Sequence, residues 1–484
     1  MLERFMTPEN KKWWTLAAVS VGLFMIMLDN TVVNVALPSM RRSLHLSLSQ
    51  LEWVVAGYAL TFAAFMLTGG KLADLLGRRL IFMSGLVVFT GASLACGLAS
   101  SGGFLIGARV VQGLGGAMMN PATLSIIAAT FPPRQRGTAI GIWAGVSAMA
   151  LAIGPLVGGL LTEHVNWNWI FFVNVPVGIA GLFAIPIFID ESRDTSRVQR
   201  PDVPGLVASA VGLFSLTYAF IEANTYGWTS ARILAAFVLA AVGLTSFFLL
   251  ERHQRVPMLD LTLFRNRTFS GANVAMLFIG LAMFGTFFYV SLYMQNILGY
   301  SPVQAGASFL PMTVLVILIA PFAGRLADRF GSRWLVGGGM TLVSGMLLYY
   351  STLSLHESFW GLLPGLLIGG IGMPLTMTPT TAAAMSAVSV DKAGVGSGVL
   401  NSMRQVGGSL GIAVMGAIVA STISSSLAAG DSQPVAFLHG FHDGLRVAAL
   451  LAFAGACVAT GAIRKQAHHP HPAAEPVQGA VEAA

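Results

Sequence analysis

Charge is scarce in this 484-residue chain: Asp, Glu, Lys and Arg together make up 10% of it. Soluble domains carry about a quarter. That deficit excludes a multidomain soluble protein, which needs charged side chains to cover its surface. Cysteine is nearly absent as well. Cys96 and Cys457 both lie inside apolar runs, so a disulfide framework is neither needed nor suggested. There is no nucleotide-binding loop, metal-ligand spacing or arranged nucleophile, and no soluble stretch long enough to hold one, which sets a membrane-embedded enzyme or receptor aside.

Apolar residues are what the chain has instead, at 55% of its length, with 55 glycines and a mean hydropathy of +0.74. Runs of about 20 apolar residues span a bilayer as helices. They fall at 13–37, 51–70, 80–99, 104–130, 138–161, 169–189, 205–222, 231–250, 268–298, 303–324, 334–353, 359–386, 395–422 and 444–463, which makes fourteen. The first is too long for a signal-peptide core and reads as a retained span. A net charge of +7 would suit a nucleic-acid binder, but the basic residues are scattered through short loops.

Topology accounts for them better. With a cytoplasmic N-terminus, of the 27 Lys and Arg residues only Arg41, Arg42, Arg232 and Arg446 fall outside and only Arg109 and Arg404 fall within spans. The positive-inside rule therefore predicts both termini in the cytoplasm.

Two loops repeat. GKLADLLGRR (Gly70 to Arg79) follows span two, and GRLADRFGSR (Gly324 to Arg333) follows span ten, 254 residues later. The excess over two six-span halves is about the size of one span pair, so a 6+2+6 arrangement is expected. Its parts are a bundle over 1–189, an inserted pair over 190–254, a second bundle over 255–465 and a disordered tail over 466–484. Parallel repeats of this kind place an alternating-access site between the halves near the midplane.

Other motifs fall in order along the chain: LDNTVVNVALP in span one, LIGARVVQGLGGA in span four, ALAIGPLVGG in span five, WNWIFFVNVPVG opening span six and NSMRQVGGSLG near span thirteen. With the loop motif, this ordered set resembles the major facilitator superfamily, and within it the fourteen-span bacterial drug:proton antiporters. The resemblance covers about residues 10 to 465. It implies an all-α integral membrane protein of two six-helix bundles plus two inserted helices, in a bacterial cytoplasmic membrane. The activity implied is export of amphipathic, cationic drugs in exchange for protons. A dedicated exporter of one metabolite, antibiotic or siderophore is the alternative. The proton is the coupling ion and no cofactor is expected. The working unit is read as a monomer, with a periplasmic adaptor left open. Ala150 stands where the antiporter motif usually starts with Gly, and Asn168 where the span-six opening usually has a basic residue.

Asp29 lies about 16 residues into span one, near 24 Å above the cytoplasmic edge at 1.5 Å per residue. Arg109, in antiparallel span four, lies about 7 or 8 Å below the outer edge of a roughly 30 Å core. The depths agree, so the two are expected to pair when Asp29 is ionised and to part when it takes a proton; a permanent structural pair is the competing reading. Arg109, Gln112, Gly113 and Gly116 share one helix face, expected to look into the bundle, the alternative being a packed interface with Arg109 reaching outward. Glu222, ending span seven at a similar depth, is a second candidate proton carrier or simply a wetted interfacial acid. Glu52 and Glu163, at span ends, are expected to be solvated.

Ala150, Gly154 and Gly158 form a small-xxx-small face. With Gly159 and the kink expected at Pro155, they make span five a bending, sealing element, and the resemblance makes this motif a mark of exporters. In the first loop Gly70, Asp74, Gly77, Arg78 and Arg79 form a candidate gate latch, mirrored by Gly324, Asp328, Gly331 and Arg333; the basic residues also serve topology. Asn34, Gln112, Asn120, Tyr289, Tyr293 and Gln295 are candidates to line a substrate cavity. The HHPHP tract at His468 is not read as a metal site.

Overall fold

The computed structural model describes residues 7–193, 202–254, 259–388 and 393–464. The tail over 466–484, with its His tract, lies outside them. The described residues form helices and no strand. The first set is α1 (Pro8–Leu44), α2 (Leu48–Leu76), α3 (Arg78–Gly97), α4 (Gly102–Thr130), α5 (Pro133–His164), α6 (Trp169–Phe172) and α7 (Asn174–Phe188). An intervening pair follows, α8 (Val203–Tyr226) and α9 (Ala231–His253). The second set is α10 (Arg267–Asn296), α11 (Pro302–Ser308), α12 (Leu310–Phe330), α13 (Ser332–Tyr350), α14 (Phe359–Ser386), α15 (Ala393–Ala428) and α16 (Gln433–Ala462).

Twelve stretches are long and apolar enough to cross a membrane, with α6 and α7 counted as one and α11 with most of α12 as another. Two more helices, α4 with 29 residues and α13 with 19, are comparable in length, which brings the candidates to fourteen. Local signals set the ends. Thr7 accepts the Asn10 amide at the start of α1, Ser47 and Gln50 form a capping box at α2, and Ser301 and Gln304 form one at α11. The outward faces stay apolar: Phe183, Trp360 and Leu450 are 73%, 75% and 67% exposed, a surface suited to lipid rather than water.

The two sets repeat one packing scheme. In the first, α1 packs on α5 and α7, α2 on α4, and α3 on α4 and α7. In the second, α10 packs on α15 and α16, α12 on α14, and α13 on α14 and α16. The loop repeat follows suit: Gly77 ends α2 at φ 126° and Gly331 ends α12 at φ 81°, left-handed conformations in which a side chain is strained. The inserted pair packs on itself and lays α8 against both α2 and α15, helices that also pack on each other across the two sets.

The end of the bundle bearing residues 70–79 and 324–333 is here called the basic end, and the other the sparse end. Hydrogen bonds between the two sets gather toward the sparse end. Ser291 Oγ donates to the Asn34 carbonyl, Gln295 Nε2 to the Val35 carbonyl, and the Val303 amide to Glu163 Oε2, each at 2.9 Å. Toward the basic end α5 is thinly covered, and a Cβ on Gly137, Gly141 or Gly145 would meet open space.

Candidate functional site

A helix advances 1.5 Å per residue, so antiparallel α1 and α4 bring Asp29 and Arg109 to one depth. Their side chains meet. Arg109 Nη1 lies 2.5 Å from Asp29 Oδ2, with the two side chains 1% and 0% exposed. Gln112, one turn beyond Arg109, closes the ring: its Nε2 donates to Asp29 Oδ1 at 2.9 Å and its Oε1 accepts from Arg109 Nη1 at 2.6 Å. Arg109 Nε donates to the Val54 carbonyl of α2 at 3.0 Å.

Aromatic faces complete the enclosure. The guanidinium carbon sits 4.2 Å from the centre of the Tyr58 ring and 5.6 Å from that of Phe171. Ser93 of α3 accepts from Gln112 Nε2 at 3.3 Å and from Asn174 Nδ2 at 3.1 Å, and donates to the Phe171 carbonyl at 2.9 Å. Such a pair is tolerated in an apolar bundle because every charge has a partner, whereas removing one leaves the other stranded. A proton on Asp29 would cancel one charge, leaving Arg109 with Val54, Gln112 and two aromatic faces.

The face read from Arg109, Gln112, Gly113 and Gly116 points inward as a packed surface. A Cβ on Gly113 would lie 3.0 Å from Thr61 Cβ, and one on Gly116 2.9 Å from Phe62 Cδ2. Tyr58, Ser93 and Phe171 were not singled out from the sequence; a lone Ser and Asn in apolar runs were the available signal.

The span-five motif sits where the bundle closes. A Cβ on Gly158 would lie 2.6 Å from the Val32 carbonyl oxygen of α1, and one on Gly159 2.5 Å from the Pro302 carbonyl oxygen of α11. Gly154 abuts Thr31, Gly306 abuts the Pro155 carbonyl, and Ala150 is buried. Pro155 lies inside continuous α5. Asn168 donates to the Gly97 carbonyl at 2.6 Å, so at this position a neutral hydrogen bond joins span six to α3.

In the first loop Asp74 Oδ1 accepts from Arg78 Nε and Nη2, both at 3.0 Å, and Arg78 Nη1 reaches the Ser125 carbonyl at 3.3 Å. The N-terminus of α3 is taken by Glu191, whose oxygens accept from the Arg79 and Leu80 amides at 3.0 and 3.1 Å. Arg79 Nη1 also reaches the Ile189 carbonyl. Gly70 packs by Pro121, as Gly324 does by Thr378. Arg333 Nε is buried without a hydrogen bond, its guanidinium 5.1 Å from the Trp334 ring centre. The Asp328 side chain lies outside the described set.

The cavity candidates are placed apart. Gln112 belongs to the ion-pair ring, and Asn120 is buried in α4. Asn34 and Gln295 take part in the contacts between sets at the sparse end. Tyr289 donates to Glu52, and Tyr293 donates to the Ser354 carbonyl while stacking on Phe441. Glu52 is therefore not solvated: helices of the second set cover it, and it is 2% exposed. Glu163 is exposed, as expected. Glu222 is half-buried and accepts the Trp53 indole at 3.2 Å, so the inserted pair touches the seam between sets. Among the described residues, no three His, Cys, Asp or Glu gather to hold a metal ion.

Known proteins resemble the chain in sequence and fold. The family model for the Major Facilitator Superfamily matches residues 19–412. The tetracenomycin C resistance and export protein of Streptomyces glaucescens is 38% identical over 85% of this chain and 77% of its own. The multidrug resistance protein Stp of Mycobacterium tuberculosis gives the same identity and coverage. A crystal structure of a bacterial homologue of the human lysosomal transporter Spinster, inward-facing and unoccupied, has a TM-score of 0.67 at 18% identity, covering 93% of this chain and 97% of that one. The family match covers most of the chain, and helices long and apolar enough to cross a membrane recur along it: the chain is a multi-pass membrane transporter of the Major Facilitator Superfamily.

Proposed function

We propose that the chain exports amphipathic, chiefly cationic drugs from the bacterial cytoplasm in exchange for protons, by alternating access. The Asp29–Arg109 pair carries this reading, because it is a two-state electrostatic element sealed inside one of two repeated bundles. The positive-inside rule makes the basic end cytoplasmic, with both termini there. The sets joined at the sparse end and the uncovered stretch of α5 then correspond to a state closed outside and open inside.

In this state Asp29 is paired after giving its proton to the cytoplasm. Reopening outside lets a proton reach Asp29, frees Arg109 from it and biases the bundles toward inward return. Glu222, half-buried at the seam, exchanges protons nearer to water. The unit works as a monomer, and a periplasmic adaptor is not required by this cycle. A dedicated exporter of one antibiotic is the second reading, favoured by relatives such as the puromycin resistance protein pur8 of Streptomyces alboniger, 34% identical over 92% of this chain.

Everted vesicles with an imposed pH gradient test both. Uptake of several unrelated cationic dyes, lost in Asp29→Asn, is the expected result. Uptake of a single compound supports the second reading, and uptake indifferent to the gradient overturns proton coupling.

A further inference from the structure

Glu52 lies near the start of α2, about 6 Å along the helix from Leu48. Its Oε1 accepts from the phenol of Tyr289 on α10 at 2.7 Å, and Tyr289 is 0% exposed. The whole carboxyl group fills the space left by Gly416 of α15, where a Cβ would lie 2.6 Å from Oε2 and closer still to Oε1. One carboxyl from the first set is thus enclosed by two helices of the second. No Lys, Arg or His among the described residues forms an ion pair with it.

The ionisable groups around it offer no compensation. On α8, Glu222 acts on it as a like charge and holds the neighbouring Trp53 indole. The Tyr218 ring centre is 6.4 Å from that of Trp53, and the cation nearest it, Arg232, is held over the Tyr218 and Tyr226 rings at 5.3 and 4.0 Å. On α4, Arg109 is committed to Asp29 of α1 and to the Val54 carbonyl. On α15, Arg404 lies about 18 Å along the helix from Gly416.

We propose that Glu52 is a further proton-binding site, distinct from Asp29 and Glu222, and that a proton taken up there from outside is the condition for the two bundles to close at the sparse end. The inference rests on the proton-coupled reading above. An ionised carboxylate with one neutral donor and a nearby like charge is poorly compensated in a sealed, apolar seam. The neutral acid keeps the Tyr289 hydrogen bond and sheds the charge. Parting α10 and α15 from α2 removes Tyr289 and the Gly416 wall, wets the carboxyl and lets it ionise. Glu52 thereby differs from Asp29. Asp29 has a resident cation in the closed state, while Glu52 has a phenol and a glycine.

The test is a distance measurement on the full chain in lipid nanodiscs, with Cys457 replaced by Ser and spin labels at Ser43 and His356, exposed sites at the sparse end of the two sets. The ratio of closed to open distances should rise on acidification between about pH 8 and pH 5, approaching roughly tenfold per unit where the site titrates. Glu52→Gln should remain closed throughout, with a change under about twofold. Glu52→Asp should keep the response, and Tyr289→Phe should keep it with a smaller closed fraction at every pH; these two variants decide the matter should Glu52→Gln fail to fold. A Glu52→Gln protein that titrates like the parent, or stands open at every pH, overturns the proposal. Gradient-driven transport by the parent chain is measured alongside. If it is absent, the proton-coupled reading fails; if it is present and Glu52→Gln still titrates, only the role of Glu52 fails.

Discussion

The Arg109 guanidinium carbon lies 4.2 Å from the centre of the buried Tyr58 ring. A cation–π contact in a desolvated site contributes up to about 2 kcal/mol. It matters most once Asp29 is neutral, when the ring face is among the few remaining stabilisers of the cation. Tyr58→Phe keeps that face and should transport within about twofold of the parent; Tyr58→Leu should lose about tenfold. Initial rates of gradient-driven uptake check this, and equal rates for Leu and Phe would remove the ring from the cycle.

Asp29 and Arg109 also separate structure from coupling. Asp29→Asn leaves a buried guanidinium without its charge partner, a loss of about 3–5 kcal/mol. The double variant Asp29→Asn with Arg109→Gln removes both charges. It should regain most of the lost thermal stability in detergent while gradient-driven uptake stays absent. Recovered uptake in the double variant would reduce the pair to a structural one.

The two adjacent glycines of α5 do different work. Gly158 faces α1 inside its own set, at Val32, whereas Gly159 faces α11 of the other set, at Pro302. Added methylenes in a packed contact cost about 1–3 kcal/mol. Gly158→Ala should therefore lower the unfolding temperature. Gly159→Ala should instead open the sparse end, raising labelling of a cysteine placed at Asn34, with a smaller thermal effect. Identical labelling in the two variants would contradict the division.

Depth in a helix is arithmetic, which is why Asp29 and Arg109 could be paired from sequence: both stand in long runs whose direction follows from span order. The loop repeat was legible for a similar reason, since Gly77 and Gly331 hold the same left-handed turn 254 residues apart. Glu52 was not. Its distance from the end of an apolar run indicates water, and only the approach of Tyr289 and Gly416 from the other set reverses that. The same holds for Gln295 and Tyr293, polar groups whose partners, the Val35 and Ser354 carbonyls, come from distant parts of the chain. Breaks at Val173 and Phe309 escaped too, because the apolar runs continue through them.

Glu222 gives the last prediction. Its Oε1 accepts the Trp53 indole, and a Gln there keeps an acceptor oxygen while losing the charge. A half-buried acid at the seam is open to water, whereas Asp29 is enclosed with a guanidinium. Glu222→Gln should therefore slow gradient-driven uptake by less than about tenfold and displace its pH profile, whereas Asp29→Asn abolishes it. Trp53→Phe, which removes the indole donor but leaves the acid, should not displace the profile. If Glu222→Gln is as inactive as Asp29→Asn while still folding, the inserted pair carries a proton site as essential as that of the first helix. If its profile overlays that of Trp53→Phe, Glu222 only braces α8 against α2.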